Sequence, residues 1–362
     1  MTAKIRFVSA KDDPFLATLR TRVNHYLSQP NVRLRGRHAM TAKCLFLGFA
    51  AISFYIGLLS SDSSAIMALF FTVAFGLSAL MLALNLGHDG AHDSVARASS
   101  VNQLLQAATF TLLGVDAYLW RLRHARSHHI FPNVNGCDID IDENPFFRLS
   151  PNQPVRWYFR YQAIYAPAMY CLVALHTIWW QDFVYLRKKE LANLRDIRHG
   201  WARGAQFFLC KAIYLALAIV IPLYVLPLPW WQIALNYLIA NAVVSLAFVF
   251  LLIGTHFSME AEFPVPAEDG QLPFTWAEHV LRTSVDWNAS SPLTTFWMGG
   301  INAHAAHHLF PRLSHVYYSK IASIIEQTAR EFGLPYHSTG LLRIIRSHFQ
   351  FLRRMGASSA TI

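Results

Sequence analysis

The stretch SAIMALFFTVAFGLSALMLALNLGHDGAH, residues 64–92, decides how this chain is read. Positions 64–86 contain no Asp, Glu, Lys or Arg. They are long enough to cross a hydrocarbon layer of about 30 Å, which takes roughly 20 apolar residues. The helix then runs directly into His88 and His92, four positions apart and therefore on one face. A membrane span that ends in two ligand-type side chains points to chemistry at a bilayer surface.

Two further windows repeat the device. HDGAH (88–92), HARSHH (124–129) and HAAHH (304–308) together hold eight of the 17 histidines: His88, His92, His124, His128, His129, His304, His307 and His308. In each window, histidines three or four apart are expected to aim two imidazoles at one point. Neutral imidazole suits iron, copper, nickel and zinc, but a structural zinc site closes at four ligands. Haem iron has only two axial positions, which adjacent residues such as His128 and His129 could not both serve. Eight ligands fit two ions, each keeping a position for oxygen or water, so a dinuclear non-haem iron centre is expected. A zinc-dependent membrane hydrolase is the rival from another class, without the HExxH that such enzymes use. A histidine-rich metal transporter would need its ligands inside the spans, whereas these lie at the ends.

Composition agrees with a membrane protein. The chain has 362 residues, 54% hydrophobic and 14% charged, with a mean hydropathy of +0.28. Four stretches are expected to span, at about 41–60, 64–86, 205–226 and 231–254. The apolar stretch 161–181 is also long enough but carries Pro167 and His176. Charge decides its reading. Lys and Arg number nine in 1–43, seven in 97–160, six in 183–203 and eight in 256–362, with Lys211 left over from the 31. The turns SSDSS (60–64) and PLP (227–229) have none. The positive-inside rule therefore places all four basic segments in the cytoplasm, and 161–181 is expected to be interfacial or re-entrant. All three histidine windows then fall on the cytoplasmic side. Lys211, close to that side, is expected to snorkel.

The expected architecture is an all-α integral membrane fold. Four transmembrane helices form two hairpins, with interfacial helices and a cytoplasmic histidine-rich cap, as one domain over 1–362. Both termini are expected in the cytoplasm, most simply at a bacterial inner membrane, and the first 40 residues lack a signal-peptide pattern. Cys44, Cys137, Cys171 and Cys210 form no CxxC pair, which argues against an iron–sulfur cluster. The net charge of +10 follows from the cytoplasmic bias and suits anionic lipid rather than nucleic acid. His256, in GTHFSME after the fourth span, is a natural ninth ligand, and the eight remaining single histidines are read as surface or hydrogen-bonded residues. Asp89 and Asp93 lie beside ligands and read equally as partners of imidazole or as solvated charges. Gly87 and Gly90 would admit a close neighbour to the first window.

A nitrogen-rich diiron centre at a bilayer suits oxidation of unactivated C–H bonds. Loss of two hydrogens leaves a double bond, and oxygen insertion gives an alcohol. The motifs carry a resemblance as well. FLATLRTRVNHYL (15–27), NLGHDGAHDS (85–94), RLRHARSHHIFPNVNGCDIDID (121–142), RYQAIYAPAMY (160–170), WAEHVLRTSVDW (276–287), GGINAHAAHHLFPRLSHVYY (299–318) and EFGLPYH (331–337) resemble the membrane fatty acid desaturases. The likeness is to the bacterial acyl-CoA or acyl-lipid, linoleoyl-CoA desaturase-like branch. It implies desaturation of an acyl chain carried on lipid, CoA or acyl carrier protein, with dioxygen and two irons. It implies His88, His92, His124, His128, His129, His304, His307 and His308 as ligands, and His256 matches the family's additional histidine. A hydroxylase or acetylenase on the same site is the alternative within the family. No HPGG signature of a fused cytochrome b5 is present, so electrons are expected from a separate ferredoxin or cytochrome b5. His304 stands where front-end relatives typically carry Gln, and Ala125 where relatives often carry Asn.

Overall fold

A computed structural model describes residues 4–9, 13–61, 64–142 and 145–357. The main helices are α1 (Pro14–Ser28), α2 (Val32–Leu59), α3 (Ala65–Ala91), α4 (Ser99–Thr111), α5 (Ala117–Arg123), α6 (Trp157–Tyr170), α7 (Val173–Arg187), α8 (Trp201–Val225), α9 (Trp230–Thr255), α10 (Trp276–Thr283), α11 (Pro292–Trp297), α12 (His304–Leu309), α13 (Tyr318–Glu331) and α14 (Leu341–Gly356). Two short strands, β1 (Val285–Trp287) and β2 (His337–Thr339), pair in parallel with Asp286 opposite Ser338. The chain forms two compact units, one of residues 40–124 and 166–250, the other of 1–39, 125–165 and 251–362.

Among the described residues, four helices are long and apolar enough to cross a membrane, α2, α3, α8 and α9, and they match the four expected spans. In the unit of residues 40–124 and 166–250, Leu45, Phe49, Ile52, Ile56 and Ile66 are exposed, an apolar surface that suits lipid. Leu58, Ala68, Leu226 and Ile233, from the ends of both hairpins, form one buried cluster. The two hairpin turns therefore lie at the same end of this unit. The turn at 60–64 has Asp62 and Ser63 outside the described residues.

The stretch 161–181 does not form a straight helix. α6 and α7 meet at 79°, after Pro167 and across residues 171–172. A break in lipid would strand backbone groups, so the protein must satisfy them itself. The Ala174 N–H donates to Ser245 Oγ of α9 at 2.9 Å, and Trp179 Nε1–H donates to Tyr237 Oη at 2.8 Å. Helix α9 thus supplies an acceptor for one backbone donor just past the bend, and its Tyr237 ties down the Trp179 indole of α7.

Two basic residues differ from the sequence expectation. Lys211 does not snorkel: it is buried, and its ammonium donates to Asp182 Oδ2 at 2.8 Å, Gly114 O at 2.6 Å and Ile178 O at 2.8 Å. All three of its donors are used. The Asp182 oxygen also accepts the Asp116 N–H at 2.9 Å. Lys43, counted with the basic N-terminal segment, is buried within α2 and donates to Asn85 Oδ1 at 2.7 Å. Both cations remain in apolar helices because a fixed acceptor replaces water.

The other unit packs around α12. Phe15, Leu16, Leu19, Val23 and Leu27 recur at helical spacing along α1, and form a core with Val280 and Leu281 of α10, Ala303 to Leu309 around α12, and Ile321 and Ile325 of α13. Burying each large apolar side chain here stabilises by about 1.5–3 kcal/mol. The third histidine window is thereby seated on the best-packed part of its unit.

The Lys211–Asp182 pair yields a test. Removing one partner, as in Lys211→Met or Asp182→Leu, leaves a buried charge and is expected to cost about 3–5 kcal/mol. The double replacement is expected to recover most of that loss. Thermal unfolding of the detergent-solubilised protein measures it, and a double variant no more stable than either single would refute the pairing as the cause.

Candidate metal centre

The first window sits on the end of α3, where Ala83–Gly87 forms a π turn before His88–Ala91. Asn85 Nδ2–H bonds Met81 O at 2.8 Å, while Lys43 holds the amide oxygen. Such π turns recur at functional sites because they rotate the residues beyond them. Gly90 and Gly87 let α4 lie against this turn. A Cβ at Gly90 would stand 2.8 Å from Asn102 O, and one at Gly87 would stand 2.3 Å from Thr109 Oγ1. The close neighbour expected from these glycines is α4.

His88, His92 and His124 each offer a ring nitrogen within 4.8 Å of the others. His88 Nε2 and His124 Nε2 are 3.2 Å apart. Trp120, a turn before His124 on α5, stacks on that imidazole at 4.2 Å between centroids, and meets His88 edge-on at 5.7 Å. Burial pushes His92 down to about 4, with Asp89 pulling the other way. Asp93 is ion-paired with Arg121 at 2.8 Å and accepts from Ser99 Oγ.

In the unit of 1–39, 125–165 and 251–362, four imidazoles converge: His128, His256, His304 and His308. His256 Nε2 lies 3.1 Å from His128 Nε2, 3.1 Å from His308 Nε2 and 2.7 Å from His304 Nε2. His304 Nε2 and His308 Nε2 are 3.3 Å apart. All four rings are buried. Beside them, His129 Nε2 and His307 Nε2 approach to 2.8 Å. His304 and His308 thus share a point as their spacing predicts, while His307, three residues from His304, faces another partner. Residues 124–128 form a π turn rather than the regular helix that the spacing of His124 and His128 suggested.

The opposite edges of three of these rings, His128, His256 and His304, are held by fixed acceptors. His256 Nδ1–H donates to Thr283 O at 2.7 Å, and His304 Nδ1–H to Ile301 O at 3.1 Å. His128 Nδ1 faces Asp138, with the two carboxylate oxygens at 3.1 and 3.2 Å. Asp138 is itself fixed by the Asn133 and Asp140 N–H groups at 2.9 and 3.0 Å. The helix that carries the third window has its own anchor. Asp286 on β1 accepts the Ala305 N–H at 2.8 Å and the Tyr336 O–H at 2.6 Å. Burial pushes the Asp286 carboxyl up to about 6 against those two donors.

These partners assign the tautomers. With Nδ1 protonated on His128, His256 and His304, each Nε2 carries a lone pair, and those lone pairs face one another. Burial, reinforced by the neighbouring imidazoles, holds His256 and His308 well below the usual histidine range, so added protons do not relieve the repulsion. A transition-metal ion does. At a metal–nitrogen distance of about 2.1 Å, adjacent ligand nitrogens lie about 3.0 Å apart at right angles and about 3.4 Å apart in a tetrahedron. The observed spacings of 2.7–3.3 Å fall around those values.

The remaining histidines behave as single residues. His279 Nε2–H donates to Pro132 O and His348 Nδ1–H to Phe257 O, and burial pushes both rings down to about 4. Sequence reasoning did not assign Asp138 to His128. Their spacing of ten residues was visible, but the pairing depends on the turn between them, where Asn133 and Gly136 take positive φ. The roles of Asp286 and Tyr336 had no local signal, since strand pairing brings them together.

Comparison with known proteins agrees with this geometry. Residues 63–340 match the family described as fatty acid desaturase. An acyl-lipid (8-3)-desaturase of Physcomitrium patens is 29% identical, over 98% of this chain and 74% of its own length. A sn-1 linoleoyl-lipid 6-desaturase of Arthrospira platensis is 27% identical, over 99% and 97% respectively. An acyl-lipid (8-3)-desaturase of Mortierella alpina is 27% identical, over 94% and 78%. With its spans, its histidine geometry and a match covering most of its length, the chain belongs to the fatty acid desaturase family.

Proposed function

We propose that this chain, acting as one desaturase domain, introduces a double bond into a fatty acyl chain at a non-haem diiron centre. The overall change is R–CH₂–CH₂–R′ + O₂ + 2 electrons + 2 H⁺ giving R–CH=CH–R′ + 2 H₂O. The observation that carries the reading is the convergence of His128, His256, His304 and His308, the first three with their lone pairs turned inward. In this reading those four hold one ion, and His88, His92, His124, His129 and His307 are proposed as further iron ligands. When bound, the two irons supply the dioxygen-dependent redox chemistry that removes hydrogen from an unactivated carbon.

The side chains contribute binding and orientation. Asp138, Thr283 O and Ile301 O hold three imidazoles in the tautomer that ligates and increase their basicity. Burial keeps His256 and His308 neutral, which ligation requires. The substrate is an acyl chain on lipid, CoA or acyl carrier protein. The acyl-lipid and linoleoyl-lipid desaturases among the relatives favour a lipid-borne chain. Electrons come from a separate ferredoxin or cytochrome b5 type protein. We place the histidine windows and both termini in the cytoplasm of a bacterial inner membrane. The distribution of Lys and Arg and the common end of the two hairpin turns support that orientation.

Three outcomes test this. His128→Ala is expected to abolish the unsaturated product and lower iron content while the protein still inserts into the membrane. Asp138→Ala is expected to weaken iron binding about 10–100-fold. Fatty acid profiling of expressing cells, with a ferredoxin supplied, and metal analysis of the purified protein measure both. One zinc and no iron per chain would sink the diiron reading.

Acid gives a separate check. His92, His279 and His348 stay neutral in the folded protein down to about pH 4, whereas an unfolded histidine protonates near 6.5. The unfolded chain therefore binds more protons between those values, so these groups' contribution is complete above about pH 6.5 and is lost as pH falls toward 4. The melting temperature of the metal-free protein is expected to decline across that window. A melting temperature that holds or rises on acidification from pH 6.5 to 4.5 contradicts it.

A further inference from the structure

Helix α14 lies beyond residue 340, where the family match ends, yet it grips the segment that carries His256. Its buried face includes Ile344, Ser347 and His348, the last fully buried. His348 Nδ1–H donates to Phe257 O at 2.7 Å, immediately after His256. Ser347 Oγ accepts the Met259 N–H at 3.0 Å and donates to the Glu260 carboxylate. On the other side of His256, Ile344 packs against Gly254 so tightly that a Cβ there would stand 2.7 Å from Ile344 Cγ1. The turn is therefore held at 254, 257 and 259 by one helix. The His256 ring is separately oriented by Thr283 O.

We propose that α14 is a positioning element of the metal centre, with His348 and Ser347 fixing the 254–259 turn so that His256 Nε2 stays at the point where four imidazoles meet. The reason is geometric. A ligand is useful only when held within about 0.5 Å of its place, and His256 hangs from a loop between the end of α9 and an extended stretch rather than from the middle of a helix. His348 supplies a donated hydrogen bond to a buried carbonyl, which an apolar residue of similar size cannot replace. The inference rests on His256 being a ligand.

The full-length protein in detergent, loaded with ferrous iron under anaerobic conditions, is mixed with a chromophoric ferrous chelator, and iron content and release rate are read. His348→Leu fills similar space without a donor and is expected to release iron about 10–100-fold faster than the parent. His348→Asn places an amide N–H where Nδ1 stood and is expected to stay within about threefold of the parent, the margin that separates rescue from the loss just given. Ser347→Ala, which deletes a single oxygen, is expected to quicken release several-fold and serves if His348→Leu does not fold. Release at the parent rate in the folded variants overturns the proposal, as does equal loss in His348→Leu and His348→Asn, which would assign the effect to packing. His256→Ala separates the two readings. If it leaves iron binding intact, His256 is not a ligand; if it weakens binding while the α14 variants do not, only the positioning role fails.

Discussion

Lone pairs that face one another across about 3 Å in a dry interior repel, and this constraint governs the arrangement around His128, His256, His304 and His308. Such nitrogens stay together when the far edges of the rings are tied down and a cation is available between them, and three of the four rings, His128, His256 and His304, are tied in this way. The protein supplies the first condition through unlike acceptors: a carboxylate for His128, and main-chain carbonyls for His256 and His304. Each belongs to a different piece of chain, so the centre depends on the packing of several elements at once. This is why the apolar core of α1, α10 and α13 closes around α12 rather than elsewhere.

The bilayer imposes a parallel constraint on the other unit. Apolar helices give no water to polar groups, so every cation or broken backbone within them needs a partner from the protein. Lys211 has Asp182 and two carbonyls, Lys43 has Asn85, and the bend between α6 and α7 has Ser245. Lys43 and Asn85 also connect α2 to the π turn that precedes His88. A charge that looks misplaced in the sequence therefore stands directly behind the first histidine window.

Much of this was legible in the sequence, for physical reasons that differ by element. The four spans announce themselves by length and by the lack of charge in 64–86 and 231–254, since desolvating a charge is costly enough to leave a pattern. The histidine windows are legible because metal ligation demands one residue type at helical spacing. Pro167 hinted at the bend after α6, but the direction of the bend lies in α9. Lys211 was misread because snorkelling is a property of one side chain, whereas its actual partner, Asp182, lies on a separate helix. The division of His304 from His307 turns on a facing neighbour, His129, that helical periodicity does not contain.

His304 joins these strands of argument. From sequence it marked a departure from front-end relatives, which typically carry Gln at that place. In the structure it makes the shortest approach in its set, 2.7 Å to His256 Nε2, and its other nitrogen is tied to Ile301 O within its own chain segment. A Gln side chain is neutral and flexible, with an amide oxygen that ligates weakly, whereas an imidazole locked by a backbone carbonyl presents a directed nitrogen without local rearrangement. The departure therefore raises the nitrogen content of a set that already contains His256, and it does so at a ring whose other edge is tied down. In the proposed diiron reading His304 would hold one iron through a nitrogen that its own chain segment keeps in place, so the change from Gln bears on how firmly that position is held.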